Sequence, residues 1–239
     1  MQKTELLYEG KAKKVYATDD PTLLIVDYKD DATAFNGAKK GTIRGKGVIN
    51  NQMSNRLMQR LGFAGVPSHF VEELSQRETL VKKVSIVPLE VIVRNISAGS
   101  FCVRYGVREG IVFDQPTVEY SYKNDALNDP LICVSHILAL HLAKQEEIDV
   151  IERYALKVNE VLREFWKCCG VTLVDFKLEF GRLPDGGIIL ADEISPDTCR
   201  LWDSETGKKL DKDRFRQDLG GVEEAYTEIM KRMESYEKK

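Results

Sequence analysis

Three stretches of this chain place charged side chains at spacings suited to chemistry on phosphates. The most informative is LVDFKLEFG, residues 173–181. As a strand it sends Asp175, Lys177 and Glu179 to one face and Val174, Phe176, Leu178 and Phe180 to the core. Acid, base and acid in a row also describe a solvated sheet face. The next charged stretch argues against that, because LADEISPDTCRLWD, residues 190–203, adds Asp192, Glu193, Asp197 and Asp203 around Arg200. Carboxylates converging on one lysine and one arginine suit a divalent cation held against phosphate oxygens.

The second stretch is PLEVIVRNISAGS, residues 88–100. Alternation buries Leu89, Val91 and Val93 and leaves Glu90 and Arg94 on the other face, with Ile92 between them. The turn after the strand, Ser97 to Ser100, is small and rich in hydroxyls and exposed amides. Arginine followed by such a turn makes a phosphate grip, a bidentate fork with extra donors. A plain salt bridge between Arg94 and a carboxylate remains the alternative. The third stretch is EGKAKKVY, residues 9–16. Gly10 permits a tight turn, Ala12 leaves the backbone approachable, and Lys11 and Lys13 share a side if the chain stays extended. Such a flap can lie over a polyphosphate. It lacks the spacing of a Walker A loop, and a solvated basic hairpin accounts for it equally well.

Turn chemistry adds a sharper expectation. Leu183-Pro184-Asp185-Gly186-Gly187 separates the last two strands, and Asp-Gly favours a two-residue type I′ hairpin. Centred on Asp185-Gly186, that hairpin pairs Glu179 with Asp192 directly across the ladder, an arrangement that two carboxylates tolerate with a cation between them.

The elements that must position these groups are legible from periodicity. Residues 13–16, 23–28 and 79–87 read as strands. Between them residues 46–61 read as a helix with Ile49, Met53, Leu57 and Leu61 every four positions and Gly62 as its stop. Residues 88–96 form a strand, and residues 137–142 lie in an apolar helix. The clearest helix covers residues 146–169, with Ile148, Ile151, Ala155, Val158, Leu162 and Phe165 on one face and Gly170 after it. Residues 171–181 and 188–194 pair as strands, and residues 222–236 close the chain as an amphipathic helix. The class is α+β, with a strand-rich lobe at residues 1–87 and a mixed lobe at residues 88–239, hinged at Pro88.

Composition narrows the partners. The chain has 239 residues, 43% hydrophobic and 31% charged, with a net charge of -3. That balance builds an ordinary globular core and provides no basic footprint for nucleic acid. No apolar run approaches the roughly 18 residues of a membrane span, and no signal-peptide core follows Met1. Cys102, Cys133, Cys168, Cys169 and Cys199 show no metal-binding spacing and read as reduced, mostly buried thiols of a cytoplasmic protein. His136 and His141 are five apart, so a histidine metal site is not expected.

Taken together and in order, EGKAKKVY, DATAFNGAKKGTIRGKG (residues 31–47), PLEVIVRNISAGS, LVDFKLEFG and LADEISPDTCRLWD resemble the SAICAR synthetase family. The resemblance spans roughly residues 5–205. It implies a two-lobed nucleotide-binding fold related to ATP-grasp and kinase architectures. It also implies an ATP-dependent ligase of purine biosynthesis that joins L-aspartate to a carboxylated aminoimidazole ribotide, giving the succinocarboxamide, ADP and phosphate. By the same resemblance Gly10, Lys11, Ala12, Lys13 and Val15 hold ATP, with backbone near Lys82 at the adenine. Glu179 and Asp192 bind Mg²⁺, Arg94, Ser100 and Arg200 grip the ribotide phosphate, and Lys177 and Asp175 flank the reacting carboxylate. Glu90 lies near the metal or the imidazole. Family members are often dimers, so the resemblance points to a homodimer, although no interface signature stands out in the sequence. Some relatives carry aspartate where this chain has Asn36, which excludes an ionised role there and leaves hydrogen bonding open. A small-molecule kinase and a non-catalytic nucleotide sensor are the rival readings.

Overall fold

The computed structural model describes residues 1–34 and 37–238, so the expectation about Asn36 lies outside the described residues. Strands β1 (Lys3–Glu9), β2 (Lys13–Thr18) and β3 (Leu23–Tyr28) form an antiparallel meander. A small hairpin follows, β4 (Asp31–Ala34) and β5 (Lys39–Thr42), then helix α1 (Lys46–Phe63). Strands β6 (Phe70–Glu73) and β7 (Glu78–Lys82) complete a five-stranded sheet of order β1-β2-β3-β7-β6.

The second sheet has six strands. They are β8 (Ser85–Ile86), β9 (Leu89–Ile96), β10 (Val112–Tyr122), β11 (Val171–Arg182), β12 (Ile188–Ala191) and β13 (Cys199–Asp203). Helices α2 (Ser100–Tyr105), α3 (Val134–Ala139) and α4 (Gln145–Cys168) intervene, and α5 (Asp213–Arg216) and α6 (Val222–Glu237) end the chain. The spine is β11. Its first half runs between β9 and β13, and its second half between β12 and β8.

One core holds the sheets in place. The apolar face of α4 buries Ile148, Ile151, Val158 and Leu162 against Leu89, Val91, Phe176 and Leu178. Helix α1 adds Met53, Leu57 and Leu61 to the same core. Its other face is polar: Thr79 Oγ1 donates to Asn51 Oδ1 at 2.6 Å, and Asn55 Nδ2 donates to Glu73 at 2.8 Å. One helix therefore ties the first sheet to the core of the second, apolar on one side and hydrogen-bonded on the other. Asp30 caps α1 from a distance by accepting from the N–H groups of Gly45 and Gly47 at 3.1 and 2.9 Å, while Arg77 grips the same carboxylate with two bonds of 2.9 Å. Burial works against its charge, but Arg77 and the two N–H groups bring its pKa down to about 2.

Several sequence expectations need correction. Helix α1 runs one residue past Gly62, α3 covers residues 134–139 instead of 137–142, and residues 79–87 split between β7 and β8. Strands β10 and β13 and helix α2 escaped the periodicity reading, because half-exposed or short segments alternate weakly. Val174 is not on the face of Phe176. Two residues of β11, from Leu173 to Asp175, span the single step from Leu201 to Arg200 on β13, so Val174 is a bulge residue and packs instead with Ile96 and Ala98. The thiols are not mostly buried: Cys199 alone is, while Cys133 and Cys168 are exposed. Among the described residues no helix is long and apolar enough to cross a membrane.

The β11–β12 register also differs. Glu179 pairs with Ala191, and Arg182 with Ile188. The loop is one residue longer than expected: Gly186 N donates to Leu183 O at 2.9 Å, Leu183 N donates to Gly187 O at 2.8 Å, and Gly186 has φ +87°. Proline explains the difference. A two-residue hairpin would pair Pro184 with Gly187 and needs an N–H from position 184 that proline lacks. Placed instead at the second position of a type I turn, Pro184 has its preferred φ, and Gly186 takes the left-handed position that follows.

Candidate active site

A cleft of about 430 Å³ opens between the flap of the first sheet and the β9–β11 face of the second. Tyr8, Lys11 and Ala12 line it on one side, and Glu90, Ile92, Arg94, Asp175 and Lys177 on the other. The flap is a tight turn in which Gly10 N donates to Lys13 O at 2.8 Å. A Cβ on Gly10 would lie 2.8 Å from the Tyr8 ring. From this turn both lysines reach segments that follow strands of the second sheet, Lys11 the turn after β10 and Lys13 the residues after β12. Lys11 pairs with Asp125 at 3.2 Å, and Lys13 donates to Asp192 and lies 3.1 Å from Glu193.

Two centres of opposite polarity sit two residues apart on β11. The first is cationic. Asp175 lies in register between Arg94 on β9 and Arg200 on β13. Its Oδ2 accepts from Arg94 Nη1 at 2.5 Å and from Arg200 Nη1 at 2.9 Å. Arg94 also binds Glu119 at 2.8 Å and donates to Ser100 Oγ at 3.2 Å, so the salt-bridge alternative and the grip geometry coexist. Gly99 makes room for this arrangement, since its φ is +54° and an added Cβ would lie 2.3 Å from Arg200 Nη2. Arg200 Nε donates to Asp213 at 2.7 Å. Burial disfavours its charge, but Asp175 and Asp213 outweigh that and raise its pKa. Asp211 fixes this segment by accepting from Leu201 N at 2.8 Å and Asp213 N at 2.7 Å. Burial and the charge of Asp213 push its carboxyl up to about 7.

The second centre collects anions around Lys177. Its Nζ is 2.8 Å from Glu90, 2.9 Å from Glu179 and 3.9 Å from Asp192. Burial opposes the ammonium, but these three carboxylates prevail and hold its pKa above the usual lysine range. Lys123, from the end of β10, also binds Glu179 at 2.8 Å. Asp192 arrives here by an unexpected route. The register leaves Ala191 opposite Glu179, but Asp192 has φ +58° and ends β12. That left-handed residue breaks the alternation and returns its carboxylate to the face of Lys177. Burial alone would raise the Asp192 pKa, but Lys13, Lys177 and Lys123 lower it well below the carboxylate norm.

The structure thus brings together Lys11, Lys13, Glu90, Arg94, Ser100, Asp175, Lys177, Glu179, Asp192 and Arg200 around one cleft. Val15 lies apart from its lining, packed against Val26 and Val81 on the first sheet. Lys82 ends β7 outside the lining, its N–H donating to His69 O at 2.7 Å. Lys46, Lys123, Lys212 and Arg216 went unread in the sequence although they complete the site's charges. The Lys212–Arg216 spacing of four, beside two aspartates, was the one available signal.

Known proteins resemble this chain over nearly its whole length. The SAICAR synthetase family matches residues 6–233. A phosphoribosylaminoimidazole-succinocarboxamide synthase of Lachnoclostridium phytofermentans is 65% identical over 98% of this chain and 99% of that protein. One from Coprothermobacter proteolyticus is 60% identical over the same shares. Among solved structures, the synthase of Ehrlichia chaffeensis has a TM-score of 0.95 and 46% identity, covering 96% of this chain and 98% of that one. A SAICAR synthetase solved in complex with ADP has a TM-score of 0.93 and 48% identity, covering 96% and 97%. Matched by the family over residues 6–233 and sharing sequence and fold with its members over nearly its full length, this chain belongs to the SAICAR synthetase family.

Proposed function

We propose that this chain joins L-aspartate to the carboxylate of 5-amino-1-(5-phospho-D-ribosyl)imidazole-4-carboxylate, with ATP converted to ADP and phosphate. The observation that carries the reading is the polarity reversal along β11. Arg94 and Arg200 around Asp175 make one end of the cleft a seat for the ribotide phosphate, and Glu90, Glu179 and Asp192 around Lys177 make the other a seat for cations. A substrate with a phosphate at one end and a reacting carboxylate at the other spans the two. The relative solved in complex with ADP supports nucleotide binding by this chain.

A carboxylate resists amide formation until one oxygen becomes a leaving group. Transfer of the terminal phosphoryl group of ATP to that oxygen gives an acyl phosphate, which the aspartate amine then attacks. Lys11 and Lys13 on the flap are placed to hold the nucleotide phosphates, with Gly10, Ala12 and Val15 shaping the slot and the chain near Lys82 at the adenine. Lys177 supplies fixed positive charge beside the reacting carboxylate, where charge develops on the transferring group. Glu179 and Asp192 fit a magnesium ion. Both carboxylates reach a common cation, Lys177 Nζ, so they face one point, and phosphate oxygens would complete the shell as magnesium prefers. When bound, magnesium neutralises charge on the phosphates. The protein so described works in the cytoplasm.

The test is ADP release by the purified chain with Mg²⁺ and each substrate omitted in turn. Release that requires ATP, ribotide and L-aspartate together is expected. Equal release without L-aspartate would identify a kinase or an ATPase instead.

A further inference from the structure

Lys13 leaves the flap for a niche made of two carboxylates and one aromatic ring. Its ammonium reaches Asp192 and, at 3.1 Å, Glu193. Tyr28 stands directly opposite Lys13 on the β2–β3 ladder, so the two side chains share a face, and Lys13 Nζ lies 5.1 Å from the centre of the ring. Asp192 is claimed elsewhere as well, by Lys177 Nζ at 3.9 Å and, in the reading above, by magnesium. Glu193 is not. Among the described residues its carboxylate pairs with no cation except Lys13, and its other oxygen accepts from Ser195 Oγ at 2.7 Å. Only 4% of its side chain is exposed, so its charge needs a standing counter-ion.

The niche is firmly mounted. Thr198 Oγ1 donates to Glu193 O at 3.3 Å, and Asp197 N donates to Ser195 Oγ at 3.1 Å. Ile194 N, next in the chain, donates to Ser54 Oγ of α1 at 3.1 Å. Tyr28 is buried, and its hydroxyl meets the side chain of the same serine. Ring and carboxylate are therefore both fastened to α1, the helix that ties the two sheets together. A lysine side chain on a flap loses much rotamer freedom when it is held in one place. A fixed ring beneath the ammonium and a fixed carboxylate beside it meet that cost before any nucleotide arrives.

We propose that Glu193 and Tyr28 are positioning residues for Lys13, keeping its ammonium in place for the nucleotide phosphates when Asp192 is given over to the metal. The assignment rests on the reading of Lys13 as a ligand of those phosphates. Neither residue touches substrate in this role.

The test measures ADP binding by calorimetry in Mg²⁺, together with KM values for ATP, ribotide and L-aspartate. It compares the full chain with Glu193→Gln, Tyr28→Leu, Tyr28→Phe and Lys13→Met. Glu193→Gln keeps the shape and the bond to Ser195 but removes the charge, and should weaken ADP binding and raise the ATP KM about tenfold. Tyr28→Leu should do the same by about two- to thirtyfold, the worth of a cation–π contact, whereas Tyr28→Phe keeps the ring and should stay near the native values. The KM values for ribotide and L-aspartate should hardly move. Should one of Glu193→Gln and Tyr28→Leu fail to fold, the other carries the test. Weakening of all three substrates alike would make the role merely structural and overturn the assignment, and a Tyr28→Phe protein as impaired as Tyr28→Leu would remove the ring from it. If Lys13→Met weakens ADP binding while neither Glu193→Gln nor Tyr28→Leu does, the positioning role is overturned and the phosphate reading of Lys13 stands. If Lys13→Met leaves ADP binding unmoved, that reading itself falls, and the positioning role with it.

Discussion

Arg94 faces Asp175 across the β9–β11 ladder, and their 2.5 Å contact joins two side chains that are both almost wholly buried. An ion pair at this depth is held for its geometry, since desolvation consumes most of the attraction. Its worth lies in aiming the guanidinium, with Ser100, into the cleft.

Removal of Arg94 should therefore register first as instability. Arg94→Met leaves Asp175 with Arg200 and Glu119 with Arg104 alone. A loss of about 3–5 kcal/mol is expected in denaturant unfolding. A loss below about 1 kcal/mol would show that the pair is loosely solvated.

Arg200→Lys is the gentler probe of the phosphate seat. Lysine keeps the charge but has no fork, so it cannot hold Asp213 and Asp175 together as Arg200 does. The ribotide KM should rise about tenfold, with that for ATP unchanged. Gly99→Ala should act on the same site from outside it. A methyl group there meets Arg200 Nη2, and φ of +54° strains any side chain. Thermal unfolding should show a loss of about 1–3 kcal/mol, together with weakened ribotide use.

Asp192→Asn isolates the charge at the other centre, because asparagine tolerates the left-handed backbone that Asp192 adopts. The Mg²⁺ concentration for half-maximal turnover should rise about tenfold or more. An unaltered Mg²⁺ requirement in steady-state assays would remove Asp192 from the proposed metal site.

Asp30 offers a stability test remote from the chemistry. Asp30→Asn loses the charged cap of α1 and the Arg77 pair, at about 1–3 kcal/mol near neutral pH. Because the folded pKa is depressed to about 2, from an ordinary value of 3.8, the advantage of the native residue is whole above pH 3.8 and fades as pH falls through 2. Thermal midpoints of the two proteins should differ at pH 7 and converge near pH 2.

Much of this protein was already determined by local sequence. The four-residue apolar rhythm of α1 and α4, the alternation that buries Leu89, Val91 and Val93, and the shared face of Lys177 and Glu179 follow from backbone period, which sequence displays directly. What only the tertiary structure decided depends on backbone exceptions and on partners far apart in the chain. Pro184 moved the hairpin by one residue, and Asp192 recovered its face through a left-handed φ that no pattern of residue types announces. The bulge at Val174 set Asp175 between Arg94 and Arg200, 81 and 25 residues distant. Lys46 and Lys212 meet on Asp197 across 151 and 15 residues. Such charges pair because burial forces each to find a counter-ion, and which one it finds is settled only when the sheets and α1 have packed.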